Sequence, residues 1–448
     1  MRRIQKKTPV SVASPKGYSY STLIIQIAML LYSGVSGLGC RGVRRVLTIL
    51  QGVLGINAVP HWTTVRQWVL KRGYYQIAHK TFEKAKDWSA ILDLTVDVGA
   101  LKCLLILGVR LAPLKARKDL TLTYDDVEVL GIYLTTKSNG DFVNQSLQDA
   151  QKKIGCPFDS LLLDQGSDVV KGAEIYQAHS KNTVVAHDMS HKIANVLEKQ
   201  LKNDPNWKNF CEHLASTRLA VQQTIDLAAL MPPKLRSKAR YMSADILMTW
   251  VTRFQESKKM GRMQSIAEER FNEYFGWLEP LNPYIETWKQ MIAIGETVKR
   301  TVLVDGFSHK VHERLEDFLS TQFPNASGQL MDFIDTTMNA VWDEVEQLKP
   351  RKIVPGDGRI IESVFGKFKQ ATSSQLQGIT IGALGIATFM ADNKMEDVKE
   401  AMEGVTIDQV IKWGKTHIID SLTSLRRKFF PSRKKNKNEG NSRGAASA

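Results

Sequence analysis

SAILDLTVD, residues 89–97, is apolar apart from Ser89, Thr95 and two aspartates, one of which, Asp93, sits at its centre. A carboxylate within an apolar run is costly to bury unless it is paired or bound to a cation. The run therefore reads as a strand that carries Asp93 to a place where something positive is needed. Two more runs, KCLLILGVRL (102–111) and VEVLGIYL (127–134), are as rich in Ile, Leu and Val. A helical pattern (FVNQSLQDAQKKIG, 142–155) then alternates with a strand (SLLLDQGSD, 160–168), a helix (VVKGAEIYQAH, 169–179) and a last strand (NTVVAHDMSHK, 182–192). The order β-β-β-α-β-α-β predicts an α/β fold, a mixed sheet with helices on both faces that presents strand-end side chains along one edge.

Upstream, residues 17–80 carry three helical patterns, the last of them HWTTVRQWVLKRG (61–73). Thr64 and Gln67 read as a capping box and Gly73 as a stop, with Val65, Trp68 and Val69 facing inward and Arg66, Gln67 and Lys71 facing out. Such a helix suits the recognition position of a helix-turn-helix, whose early residues reach base edges in the major groove. A small basic three-helix unit without that role carries the same pattern. Downstream of His191 strand patterning stops, and residues 192–350 read as all-α. RIIESVFGKFK (359–369), a further apolar segment (378–393), a last amphipathic helix and a basic tail complete the chain.

Charge is segregated. The chain of 448 residues has a formal net charge of +15, yet residues 1–82 hold twelve Lys and Arg and no acid, and Arg426–Lys437 holds seven more with no acid, leaving a slightly acidic body. Two basic arms around such a body point to a polyanion, because each phosphate neutralised releases condensed counterions. A membrane partner is not expected, since the best apolar run, Leu23–Tyr32, contains Gln26 and is shorter than the ~20 residues a spanning helix needs. Four scattered cysteines (Cys40, Cys103, Cys156, Cys211) make neither a C-x-x-C pair nor a zinc pattern, which suits a reducing, cytoplasmic compartment.

Three acids stand out by position: Asp93, Asp164, which ends the strand begun by SLLL just before the Gln-Gly-Ser turn, and Glu362 in the 359–369 helix. Brought together, they form an all-oxygen donor set suited to Mg²⁺ or Mn²⁺, with charge enough for two ions. Two such ions can activate water or a 3′-hydroxyl and stabilise the leaving oxygen of a phosphodiester displacement. Taken singly, each acid reads more readily as a cap or turn residue than as a metal ligand. Asp97 and Asp168 are assigned to that plainer class, Asp168 as the cap of the helix beginning near Val169. Asp188 and His191, in AHDMSHK, stand between the classes as supporting, DNA-contacting or structural groups.

ILDLTVDVGALKCLLILGVR, SLLLDQGSDVVKGA, AHDMSHK and IIESVFGKFK together resemble, in that order, the sequence blocks of the DDE transposases of bacterial insertion sequences. The similarity spans roughly residues 85–390 and is to the branch whose ribonuclease-H-like core is interrupted by a long helical insertion. Together with the helical-pattern and charge readings above, it divides the chain into a helix-turn-helix unit over 1–82, core over 83–200, insertion over 201–350, the rest of the core with C-terminal helices over 351–420, and a disordered basic tail over 421–448. It implies Asp93, Asp164 and Glu362 as catalytic metal ligands, Asp93 being preferred to Asp97 by the D-x-T that follows the apolar run. Related Glu helices carry a Tyr and an Arg before the Glu and a Lys after it. Here residue 355 is Pro, the nearest arginine is Arg359, and Lys369 falls where that lysine would, so Arg359 and Lys369 join Arg66, Gln67 and Lys71 as expected DNA contacts. Insertion tryptophans of such enzymes stack on flipped bases; Trp250, Trp277 and Trp288 are the candidates, each also at core spacing. The implied activity is cleavage and transfer of transposon ends with two Mg²⁺ or Mn²⁺ ions. The implied partners are terminal inverted repeats, target DNA and, on paired ends, a second copy of the chain. An inactive, transposase-derived DNA-binding regulator and a structure-selective nuclease are the alternatives.

Overall fold

The computed structural model describes residues 13–35, 37–96, 101–235, 244–264, 266–350, 352–372, 379–418 and 428–430. Asp97, the first twelve residues and all of the basic tail except 428–430 lie outside them.

The expected succession of strands is present. Strand β1 (Trp88–Val96) pairs antiparallel with β2 (Lys102–Arg110), which pairs antiparallel with β3 (Val127–Thr135). On the other side of β1, β4 (Ser160–Leu163) and then β5 (Val184–His187) add in parallel, so the sheet runs β3-β2-β1-β4-β5. Parallel strands need long crossovers, and helices Gly140–Ile154 and Ser167–His179 supply them. These two helices pack closely because Gly172 has no side chain: a Cβ there would lie 2.3 Å from Cβ of Val143.

Period-two alternation sorts the strand side chains between two cores. Ala90, Leu92, Leu104, Ile106, Leu161 and Leu163 face the crossover helices. Ile91, Leu105, Leu107 and Leu162 face the opposite way, into a larger core shared with the remaining helices. By the same alternation Asp93 and Asp164 belong to this second face, over which helix Arg359–Thr372 packs against β1.

From Met189 to Val345 the described residues form helices and turns, with one isolated bridge from Phe307 to Val354. Trp207, Phe210 and Trp288 form the aromatic centre of this block, Trp207 and Trp288 meeting edge to face at 5.0 Å. Buried Glu344 anchors the block to the sheet. It accepts from the backbone N–H of His187 at the end of β5 (2.9 Å), contacts Nδ1 of His187 (3.0 Å) and pairs with Lys192. Those partners hold its carboxyl below the usual range in spite of burial.

Helices Thr22–Gly34, Cys40–Ile49 and Trp62–Ala78 form the expected N-terminal unit, but its last helix differs from the sequence reading in three respects. Its cap is His61, one turn earlier than the expected box, so Thr64 and Gln67 lie inside the helix. Gly73 does not stop it; it lets the helix cross Leu384–Phe389, where a Cβ would fall 1.9 Å from the carbonyl oxygen of Leu384. Lys71 does not face out but is buried, donating to the hydroxyl of Tyr18 (2.6 Å) and the carbonyl of Met402 (3.2 Å).

The unit also shares one core with helices from residues 384–417. Arg72, 1% exposed, bonds Gln76, Asn393 and the carbonyl of Asp392, and lies 3.7 Å from the carboxylate of Asp397. Thr388 donates to the carbonyl of Val69 (2.9 Å). On the sheet side, Lys153 donates to the carbonyls of Ile77 and Leu130, and Lys80 bonds Glu128 at the edge of β3. Among the described residues no helix is long and apolar enough to cross a membrane.

Candidate active site

Leu92 of β1 stands beside Leu163 of β4 in the parallel register, so the next residues along, Asp93 within β1 and Asp164 just past the end of β4, come side by side. Glu362 is brought over them by the first turn of helix Arg359–Thr372, whose Ile360, Ile361, Val364, Phe365 and Phe368 are buried while Glu362 is exposed. The three acids, with Asp188, His191 and Gly358, line one pocket of about 20 Å³, room for one water-sized body.

Charge in this pocket is not balanced locally. Burial first, then the neighbouring Asp164 carboxylate, push the Asp93 carboxyl up to about 6; Glu362 adds to the rise, while the N–H of Leu94 and His191 oppose it. Desolvation and like charge both disfavour the ionised form. His191 stands at 3.1 Å, through Nε2, from Oε1 of Glu362. That contact above all raises its imidazole to about 9, with Asp188 and Asp164 contributing against the cost of burial.

Asp188 has a positioning role. It caps helix Met189–Leu201 through the N–H groups of Ser190 (2.7 Å) and His191 (3.2 Å), and it also accepts from the N–H of Gly358. A Cβ on Gly358 would come to 2.8 Å from Oδ2 of Asp188, so glycine is needed for the close approach. One carboxylate thereby fixes both the helix that carries His191 and the loop that leads into the Glu362 helix. Asp168 is not the cap assigned to it. Gly166 occupies that position, and Asp168 sits in the first turn, 3.7 Å from Lys102. Gly166 also donates its N–H to Asp164 (3.0 Å), which steadies one acid of the set.

The expected nucleic-acid contacts divide. Arg66 and Gln67 are exposed, but Lys71 is not, and burial draws its ammonium pKa down. Arg359 is exposed and bonded to buried Asp357 (2.9 Å). Lys369 is exposed on the face of the helix that carries Glu362. Trp288 is fully buried, and Trp250 and Trp277 donate their indole N–H groups within the helical block, so core packing accounts for all three. Sequence reading missed Tyr124, whose hydroxyl meets Ser363 and whose ring lies 3.7 Å beneath the Lys367 ammonium. It also missed Arg41, which covers the Trp62 ring at 4.9 Å. Neither signal is local, since each partner lies on a different element.

Among the described residues no group of three or more His, Cys, Asp or Glu side chains is placed to hold a metal ion. The donor chemistry is nevertheless that of a hard divalent cation. All three acids supply oxygen, they share one pocket, and burial, with Asp164 and Glu362 beside it, raises the Asp93 carboxyl in the direction that a cation would oppose. In comparisons with known proteins, no family model and no curated sequence matches the chain.

Proposed function

We propose that this chain is a DNA transposase with a ribonuclease-H-like core, which binds the ends of its element and carries out metal-dependent strand cleavage and transfer. One observation carries the reading: Asp93, Asp164 and Glu362, separated by 71 and 198 residues in sequence, line a single pocket on one face of a mixed sheet. Three structural acids with separate capping duties have no reason to converge. Burial of Asp93, with the repulsion of Asp164 and Glu362 added to it, is a cost the fold bears there.

In this reading Asp93, Asp164 and Glu362 hold Mg²⁺ or Mn²⁺, which supplies Lewis acidity for attack on a phosphodiester. Asp188 holds the pocket walls together. His191 keeps a proton at Oε1 of Glu362 and orients that carboxylate. Arg359 and Lys369 take phosphates along the Glu362 helix. Exposed Arg41, Arg44, Arg45 and Arg66 give the N-terminal unit its affinity for duplex DNA. Joining two ends calls for at least two chains.

The test is nicking of a labelled duplex taken from the DNA that flanks the gene, in Mg²⁺ or Mn²⁺ with a chelator control. Metal-dependent nicks at fixed positions, lost in Asp164→Asn and Glu362→Gln while binding persists, are expected. Cutting that survives either substitution removes that acid from the site, and binding without cutting by the unaltered chain favours the regulator.

A further inference from the structure

Helix Trp62–Ala78, the expected reader of DNA, is not free to lie in a groove. Six consecutive residues, Trp68–Gly73, are buried. Leu70 and Lys71, which would carry the exposed stripe of Arg66 and Gln67 one turn further, are among them. Helix Met395–Gly404 packs there, with Glu396, Asp397, Glu400 and Glu403 against the single base Lys399. The Tyr75 hydroxyl donates to Glu400 (2.6 Å), and Arg72 lies 3.7 Å from Asp397. Phosphates running along this helix beyond its first turn would meet carboxylates.

Helix Cys40–Ile49 is the opposite case. Val43 and Leu47 are buried, while Arg41, Arg44, Arg45, Thr48 and Ile49 are exposed, as are Gly52 and Val53 in the turn that follows. At about 100° per residue, Arg41, Arg45 and Thr48 fall within about 60° of one another, with Ile49 about 40° beyond Arg45. Ile49 is 80% exposed and Val53 85%. Residues 1–82 contain no acid, so a second copy laid on this face would set arginine against arginine, whereas a duplex offers both phosphates and apolar methyl groups. Arg41 covers the Trp62 ring at 4.9 Å and lines one cleft of about 170 Å³ with Trp62 and Arg66. The arginine face therefore runs on into the first turn of helix Trp62–Ala78.

We propose that helix Cys40–Ile49, and not Trp62–Ala78, enters the major groove. Arg45 reaches base edges, Ile49 and Val53 meet thymine methyl groups, and Arg41, Arg44 and Arg66 hold the flanking phosphates. This rests on the transposase reading for the duplex that is bound, and it reassigns the element that reads that duplex. The major groove is about 12 Å wide and admits one helix. In a helix-turn-helix the second helix of the pair is the usual reader, but here the later turns of that helix are covered by Met395–Gly404.

Competition gel shifts between the duplex that flanks the gene and a scrambled duplex of the same composition test this without a cutting step. Ile49→Ser alters an exposed side chain and no charge. It should lower the preference for the flanking duplex by about tenfold or more, with affinity for the scrambled duplex and the salt slope unchanged. Arg45→Ala should lower the preference at least as far, and Gln67→Ala should leave it unchanged. Uracil in place of thymine removes the methyl groups from the flanking duplex. The unaltered chain should bind that duplex more weakly than the thymine form, and Ile49→Ser should bind the two alike. An unchanged preference in either Ile49→Ser or Arg45→Ala, or a loss in Gln67→Ala as large as theirs, overturns the inference and leaves the transposase reading intact. Self-association that sedimentation shows to be lost in Ile49→Ser without DNA, with the preference kept, gives the face to a second copy and overturns it as well. Failure of the unaltered chain to distinguish the two duplexes overturns both readings.

Discussion

Replacing Asp93 by Asn should stabilise the folded chain while abolishing cutting. In the folded chain the Asp93 carboxyl titrates near 6, whereas its ordinary value is 3.8. Between those values the folded state holds a proton that the unfolded chain has released, so stability falls as pH rises through that window, and the penalty is complete above it. A difference of about two pKa units corresponds to about 3 kcal/mol at pH 8, falling to about 1 kcal/mol at pH 4.5, where only the unfolded chain ionises. Asn keeps the shape and removes the charge. Thermal melts of both proteins at pH 8 and pH 4.5, with and without millimolar Mg²⁺, provide the assay. The substitution should raise the midpoint at pH 8 by roughly three times its effect at pH 4.5, and Mg²⁺ should raise the unaltered chain more than the variant. A structural acid behaves oppositely, since removing a cap destabilises by about 1 kcal/mol at neutral pH. Loss of stability at pH 8, or an equal gain at both pH values, refutes the argument that Asp93 is held for its chemistry.

Glu362→Gln and Asp164→Asn should each lower cutting by about 10²-fold or more, the scale of a lost electrostatic stabiliser, with gel-shift affinity nearly unchanged. Lys369→Ala should reduce the log–log salt slope of binding by about one, and an unchanged slope removes it from the phosphate path. Arg66→Ala should weaken duplex binding measurably. Lys71→Ala, a buried site, should leave the salt slope unchanged and show its effect in a melt instead. Glu344→Leu leaves Lys192 without its buried partner and should cost about 3–5 kcal/mol, read as an earlier denaturant midpoint; a change under 1 kcal/mol would show that the helical block is anchored elsewhere.

The sheet was legible because period-two alternation and uninterrupted Ile, Leu and Val runs are local signals, and the acids were legible because they break those runs. Alternation even placed Asp93 and Asp164 on a common face once β1 and β4 were known to pair. What the sequence could not reveal depends on partners hundreds of residues away. Lys71 looks solvent-facing by helical spacing, yet Tyr18 and Met402 enclose it. Gly73 resembles a helix stop, but Leu384 requires its missing side chain. Asp168 resembles a cap, yet the turn begins two residues earlier and gives that position to Gly166. Tyr124 carries no motif, and only the fold brings it to Ser363.

The shared core of the N-terminal unit and residues 384–404 bears on synthesis as well as on the finished fold. Contacts such as Arg72 to Asn393 and Lys71 to Met402 span 321 and 331 positions along the chain, and distant contacts form late because loop closure precedes them. While the ribosome is still delivering the helical block, Arg72 has a buried place in the finished fold but no partners to fill it. Helix Trp62–Ala78 should therefore reach its final packing only after residue 404 has emerged. Chains interrupted before that point should be cleared by proteolysis rather than accumulate as folded fragments.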